Sequence, residues 1–549
     1  MKLSLNLVEN RGLSNLFLSI SFIFLFLMCV ALVYGFPLPF LAKSLLRVKS
    51  LRKLFELFFG SLVLGILCHP DRRRILSSLK EKTGRLTRSK WAIWGMTGVY
   101  FLLFFWQQVT KYLALEMNFI PFLFYDYMLW FFDQGKFCYT GLLHGYYHVN
   151  LILLFLYPLW KAAPGPWVLH VISPLVVSLS AVPLYGWVRE KFQNALLGFG
   201  VAFLYLNFRY VQNLLHANFV VEVFYPLFIF SAIYFAFKKR EWLYYFSILL
   251  GLTVKEDSAI YFGALGAFFL FSPADRKRGG ITLLLSMAYL VFIFNVFIPW
   301  SGSNILKGDV ENYPGQGSTL GEIVKNVLGH PWYFIRELFW PLEKLRTLFK
   351  LTSKLLFFPL LSPWFVLVLV SIYPTFFQST GRGDLFFQLS FYYVAAVLPF
   401  LFLAFADGWQ RIQKKSFMRK SPALGWGILT VLVFLNAMNL RPIHFTKEDL
   451  KSIQLAKSLP RESVVVTQGH LLPYVGYRRW NFYLSRQYEL RKDTQEAYLN
   501  PDYYLFDLQA NSYPLSQEEL SQKVEEVKKD SRFRLTYNDP RHFLFQRKM

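Results

Sequence analysis

Cysteine is nearly absent from this sequence: Cys29, Cys68 and Cys138 are the three among 549 residues. An odd count with no C-x-x-C pair excludes a disulfide framework and a cysteine-built zinc site. Charge is also scarce. Asp, Glu, Lys and Arg make up 17% of the chain, against about 25% in soluble domains. Acids are the rarer sign, 34 against 59 basic residues. No phosphate-binding glycine loop, nucleophile elbow or H-E-x-x-H occurs, so the enzyme classes those motifs define have no support. No internal repeat and no low-complexity stretch is evident.

Apolar surface is abundant instead. Apolar residues are 54% of the chain, and 59 of them are Phe. They come in runs near the roughly 20 residues that an α-helix needs to cross a bilayer. The net charge of +25 would suggest nucleic acid in a soluble protein. Here the basic residues gather at the ends of apolar runs, without a nucleic-acid recognition pattern, so they set orientation in a membrane and nucleic acid is not expected as a partner.

The chain reads as an α-helical polytopic membrane protein of about ten to thirteen transmembrane helices. Residues 1–90 form an N-terminal anchor region. Its apolar run Leu16 to Phe36 is too long for a signal-peptide core and reads as a retained anchor. Leu54 to Cys68 is short and lies in or dips into the membrane. The segment Asp71 to Lys90 carries eight basic residues and belongs in the cytoplasm. Residues 91–440 form the transmembrane core. Its expected spans are Trp91–Tyr112, Pro166–Tyr185, Ala195–Phe208, Phe219–Phe237, Trp242–Val254, Ala259–Phe271, Ile281–Trp300, a hairpin of two short spans within 347–376, Leu389–Ala406 and Leu424–Leu440. Residues 113–165 and 301–346 are long outer segments, the first with an interfacial helix over Val149–Trp160, the second with an amphipathic helix after Thr319. This path puts every strong basic cluster from residue 70 to 420 on one side. Residues 441–549 read as a small extracytoplasmic α/β domain, with strands at Val464–Val466, Tyr503–Phe506, Phe533–Tyr537 and Phe543–Gln546, and a turn at Asn538-Asp539-Pro540.

Ionisable groups at membrane boundaries are costly, which makes them functional candidates. On this threading they gather at the outer face: Asp126 and Asp133, His148, then Arg209, His216 and Glu222, then Lys255, Glu256 and Asp257. A carboxylate can take a proton from a hydroxyl nucleophile. Several carboxylates can hold a divalent cation such as Mg or Mn, though no ligand set stands out: His216 and Glu222 are six apart, not the i, i+4 spacing of a helical metal site. Arg or Lys can hold a phosphate. Each residue also has a bland reading. Asp126 can be a helix cap, His148 a boundary residue, Glu256-Asp257 a solvated helix start, and Asp133 a surface charge.

Short motifs in order resemble the family named for domain of unknown function 2079. They are Tyr125-Asp126 before Gly135-Lys136-Phe137, then His148 leading to Leu156-Tyr157-Pro158-Leu159, then Pro183-Leu184-Tyr185. Asn218-Phe219 after His216, Lys255-Glu256-Asp257 and Leu361-Ser362-Pro363 follow. Tyr392-Tyr393 before Leu398-Pro399-Phe400, and Pro501-Asp502-Tyr503 with Asp507, complete the match over about residues 115–510. Where the family has Asp-Leu-Gly this chain has Asp126-Tyr127-Met128, and the acid that usually follows His216 directly is displaced to Glu222. The family resembles the GT-C glycosyltransferases, such as protein mannosyltransferases and aminoarabinose transferases. That resemblance implies a GT-C-like multi-helix core, a polyprenyl-phosphate sugar donor and an inverting reaction. It implies Asp126 as general base, with His148, Arg209, His216, Glu222, Lys255, Glu256 and Asp257 lining the same cleft. The acceptor is a lipid, glycan or protein at the outer face of a cytoplasmic (inner) membrane, with membrane lipids around the core. The alternatives are a transporter or flippase of a lipid-linked substrate and a non-catalytic scaffold. Inverted repeats, which transporters often show, are not evident in the sequence.

Overall fold

The computed structural model describes residues 15–23, isolated positions between 56 and 81, 90–117, 119–137, 139–140, 145–146, 148–301, isolated positions in 322–330, 331–340, 342–377, 392–415, isolated positions in 428–436, 443–477, 481–484, 497–513 and 515–548. Most of Leu16–Phe36, seven of the fifteen residues of Leu54–Cys68, most of the basic segment 71–90, of the region just after Thr319 and of Leu424–Leu440, and the three cysteines lie outside the described residues.

The apolar runs form helices. In order they are α1 (Lys90–Leu113), α2 (Phe119–Phe132), α3 (Leu153–Ala162), α4 (Trp167–Lys191), α5 (Ala195–Asn207), α6 (Arg209–His216), α7 (Phe224–Phe237), α8 (Glu241–Leu252), α9 (Ser258–Leu270) and α10 (Arg276–Phe292). A π-helical stretch, Ile293–Phe297, and Ile298–Ser301 continue α10. A two-stranded ribbon, β1 (Tyr139–Thr140) with β2 (Gly145–Tyr146), follows α2. Next come α11 (Pro331–Phe339), α12 (Leu342–Ser353), α13 (Phe365–Phe377) and α14 (Val397–Gln413). The bundle is built from neighbouring pairs: α4 packs on α1, α5 and α7, α7 on α8, and α9 on α10.

Among the described helices two are long and apolar enough to cross a membrane, Trp167–Lys191 and Arg276–Ser301. Six more apolar helices have 10–17 residues, and all but Val221–Phe237 are shorter than the usual spanning length of about 17–25. Within the described residues the apolar runs are interrupted at points that hydropathy does not register. Phe208 is extended (φ −68°, ψ 125°) and ends α5 one residue before α6 begins. α4 carries Pro174 and Pro183 and stays helical; a spanning helix tolerates proline when neighbouring groups serve the freed backbone. α14 starts eight residues after the expected Leu389 and runs through Arg411. The segment expected as the first short span of the 347–376 hairpin is instead the end of an amphipathic helix: α12 holds Glu343, Lys344, Arg346 and Lys350, and its Leu342 and Phe349 are each 60% exposed.

The C-terminal unit is α/β. Helix α15 (Lys447–Ser458) starts at a capping box between Thr446 and Asp449. The strands are β3 (Val465–Thr467), β4 (Asn481–Tyr483), β5 (Tyr503–Asp507), β6 (Phe533–Asn538) and β7 (His542–Arg547), with short α16 (Leu472–Val475) and α17 (Gln517–Lys529) between them. They form one sheet in the order β4-β3-β5-β7-β6. β4, β3 and β5 are parallel; β7 and β6 complete the sheet as an antiparallel hairpin over the expected turn. β4 was not foreseen: it is three residues long, and only its partner β3 makes it a strand. The carboxylate of buried Asp507 accepts from Arg541 at 2.6 and 2.7 Å and from Ser452 at 2.6 Å. Burial pushes its pKa up, yet these donors outweigh burial and hold it below the ordinary range.

Candidate functional site

The C-terminal unit docks on the core at α2 and α1, through α16 and α15 respectively. Tyr127 Oη donates to the Gly476 carbonyl at 3.0 Å. Tyr474 Oη donates to the Tyr112 carbonyl. Between the two units lies a cavity of about 1370 Å³, larger than the roughly 300–1,000 Å³ of most small-ligand pockets. The core contributes Asp126, Trp130, Trp160 and Trp167; the C-terminal unit contributes Lys457, Arg461 and Tyr477.

Asp126 sits mid-way along α2, an apolar helix of 14 residues within the first outer segment. It is 3% exposed. Two donors meet on one of its oxygens: Trp160 Nε1 at 3.0 Å and Tyr477 Oη at 2.7 Å, both on Oδ1. Oδ2 has no protein partner among the described residues, while Asp126 lines the cavity. Burial raises its pKa to about 6, and the hydrogen bonds from Tyr477 and Trp160 offset only part of that rise. The carboxyl is therefore poised near neutrality with one oxygen open. Around it Tyr477 stacks on Trp130 (centroids 6.0 Å apart, planes at 13°) and meets Trp160 edge-on at 5.4 Å. Asp133 is at the rim, 39% exposed, bound by Lys161 at 2.8 Å and by Tyr157, as a surface charge would be.

The remaining expected site residues do not line this cavity among the described residues. Five of them form a second cluster. His148 Nδ1 lies 2.6 Å from Glu256 Oε1, and the Val149 N–H donates to Glu256 Oε2 at 2.9 Å. Lys255 Nζ pairs with Glu222 at 3.3 Å. Asp257 accepts from Tyr225 at 2.6 Å and Tyr261 at 3.0 Å. Burial pushes the Glu256 pKa up, but His148 and Lys255 outweigh it and hold it at about 2. The cluster fastens the start of α3: Asn150 donates to the Val254 carbonyl at 3.0 Å, and the Ile152 N–H to the Thr253 carbonyl at 2.8 Å. Trp160, near the other end of α3, bonds Asp126. Leu153 to Trp160 spans about 10 Å of helical rise along α3, and none of the five residues lines the Asp126 cavity among the described residues. The expectation that they share one cleft is corrected on this ground.

Arg209 and His216 fall elsewhere. α6 buries Tyr210, Val211, Leu214 and Leu215 and leaves Arg209 exposed. His216 presents its backbone carbonyl to Lys111 Nζ at 3.2 Å. Among the described residues, no group of three metal-ligating side chains includes Asp126. Among the described residues, the three-ligand grouping is Glu448, Asp539 and His542 in the C-terminal unit, where Lys451 already pairs with Asp539 at 2.8 Å. Sequence reasoning missed Trp160 as a partner, and Tyr477, Lys457 and Arg461 altogether. Tyr477 is 351 positions from Asp126, and its one local signal is Gly476, whose φ of +88° suits glycine.

The family model described as predicted membrane protein (DUF2079) matches residues 122–540. No curated protein matches the chain. Among solved structures, ArnT from Cupriavidus metallidurans bound to undecaprenyl phosphate aligns over 83% of this chain and 98% of that one, at 10% identity and a TM-score of 0.38. A likeness that loose carries no argument about this chain's site.

Proposed function

We propose, for a chain that belongs to the DUF2079 family of predicted membrane proteins, a membrane glycosyltransferase acting at the outer face, with Asp126 as general base. One observation carries the reading: a buried carboxyl with a pKa of about 6 and, among the described residues, one oxygen without a partner at the wall of a large cavity. A base works best when its pKa lies near the working pH. Tyr477 and Trp160 hold Oδ1 and so fix the direction of Oδ2. Lys457 and Arg461 supply positive charge on the same cavity, which suits a phosphate leaving group.

The donor in this reading is a polyprenyl-phosphate sugar. An acceptor hydroxyl attacks the anomeric carbon and a new C–O bond forms. The bond from that carbon to the phosphate oxygen breaks, and polyprenyl phosphate leaves with the electron pair. Asp126 Oδ2 takes the hydroxyl proton. Asp133, the nearest acid in sequence, is held by Lys161, so direct displacement with inversion fits better than a two-carboxylate covalent route. Inner-membrane placement, the extracytoplasmic face and the choice of a lipid, glycan or protein acceptor belong to the same proposal.

Reconstituted vesicles separate this from a flippase. With a labelled polyprenyl-phosphate sugar, the proposal expects free polyprenyl phosphate and a glycosylated acceptor by mass spectrometry. Movement of the donor between leaflets with its glycosidic bond intact would instead establish the transporter reading.

A further inference from the structure

A second crevice, of about 480 Å³, lies at the other end of α4. Trp167, the first residue of α4, lines the Asp126 cavity, and Lys191, its last, lines this crevice. Over the 25 residues of α4 the helical rise puts the two about 36 Å apart, more than the roughly 30 Å of a bilayer's hydrocarbon core. The crevice therefore belongs to the opposite membrane face from the Asp126 cavity. It sits between the last turns of α4 and α14, and Gln193, Asp407, Gln410, Arg411 and Lys414 line it with Lys191.

Three cations face one carboxylate here, and that carboxylate is already engaged. Asp407 Oδ2 accepts from Ser362 at 2.8 Å and from Arg411 Nε at 2.9 Å, and its Oδ1 lies 3.9 Å from Lys191 Nζ. Lys191 Nζ also stands 4.5 Å over the Trp187 ring, which fixes its position. Arg411 spends only Nε on Asp407. Its two Nη groups and Lys414 Nζ have no protein partner among the described residues. The result is a polar crevice with a positioned ammonium, an open guanidinium edge and a second, unpaired ammonium. That donor set matches the oxygens of a phosphate.

We infer that this crevice holds the phosphate group of an anionic phospholipid from the leaflet opposite the Asp126 cavity. A basic pocket between spanning helices at a bilayer face is a headgroup site by its chemistry. The acyl chains lie along the apolar outer surface of the bundle. Each cation lost should weaken binding about fivefold.

The test is thermal unfolding of the purified full chain in detergent micelles, titrated with phosphatidylglycerol, phosphatidylcholine or inorganic phosphate. Phosphatidylglycerol should raise Tm saturably; the other two should not at matched concentration. Lys414→Gln, at an exposed residue with no partner to lose among the described residues, and Arg411→Gln should each shift half-saturation about fivefold upward. Lys277→Gln removes the same charge outside the crevice and should leave half-saturation unchanged. Equal effects of the two phospholipids, wild-type affinity in Lys414→Gln and Arg411→Gln, or equal weakening by Lys277→Gln would overturn the site. Full protection by inorganic phosphate would overturn the lipid assignment in favour of a free anion.

Discussion

Asp126 is asymmetric: two donors sit on Oδ1 and none among the described residues on Oδ2. Its charge is needed for the proposed reaction yet costs folding energy. Its folded pKa of about 6 lies above the unfolded value, so the cost is absent below pH about 4 and fully present above about 6. Asp126→Asn should therefore abolish transfer and stabilise the protein above pH 6 by up to about 3 kcal/mol, with no gain below pH about 4. Thermal unfolding against pH in both proteins checks this. The transfer rate should fall as pH drops through about 6. In Tyr477→Phe a hydrogen bond that lowers this pKa is lost, so the acid limb of the pH–rate profile should move to higher pH. Asp126 was legible in the sequence because a carboxylate within the run Phe119–Phe132 has no apolar explanation. Tyr477 was not, because a tyrosine beside a glycine in a loop resembles many others until the chain returns to meet α2.

At the scale of elements, close backbone approach and a few buried ion pairs set the arrangement. A Cβ on Gly279 would meet the Gly266 carbonyl oxygen at 2.6 Å and the Leu270 nitrogen at 2.8 Å. Both are backbone atoms that cannot swing aside. Gly279→Ala should push α9 from α10 and cost about 1–3 kcal/mol, read as a lower Tm. The short connection was legible as a turn between two apolar runs, but its tightness depends on which glycine faces which backbone. Glu256 ties the start of α3 to the turn before α9. Its pKa is depressed to about 2, so its stabilisation is present above pH about 4.5 and is lost as pH falls toward 2. Glu256→Gln should cost about 2 kcal/mol at neutral pH, with a deficit that shrinks on acidification. The Lys255-Glu256-Asp257 motif was legible as special. Its role was not: the sequence suggested a shared cleft, and the structure gives the opposite end of α3.

The whole molecule is two units around one cavity. Hydropathy made the helical core legible, and the fall in apolar content after residue 441 made the C-terminal unit legible. Their mutual placement was not legible, because the bonds from Tyr127, Tyr474 and Tyr477 join residues more than 300 positions apart. The C-terminal unit supplies Tyr477, Lys457 and Arg461 to the cavity. Deleting residues 441–549 should leave a core that still inserts in membranes but transfers no sugar, as judged by membrane fractionation beside the transfer assay. The most direct measurement compares wild type and Asp126→Asn in proteoliposomes supplied with a panel of polyprenyl-phosphate sugars and scores release of polyprenyl phosphate. Wild type should turn over at least one donor, and the variant, folded with an equal or higher Tm at neutral pH, should turn over none. Wild-type turnover by Asp126→Asn, or no release by the wild type with any donor, would contradict the assignment of Asp126 as the base of a glycosyl transfer.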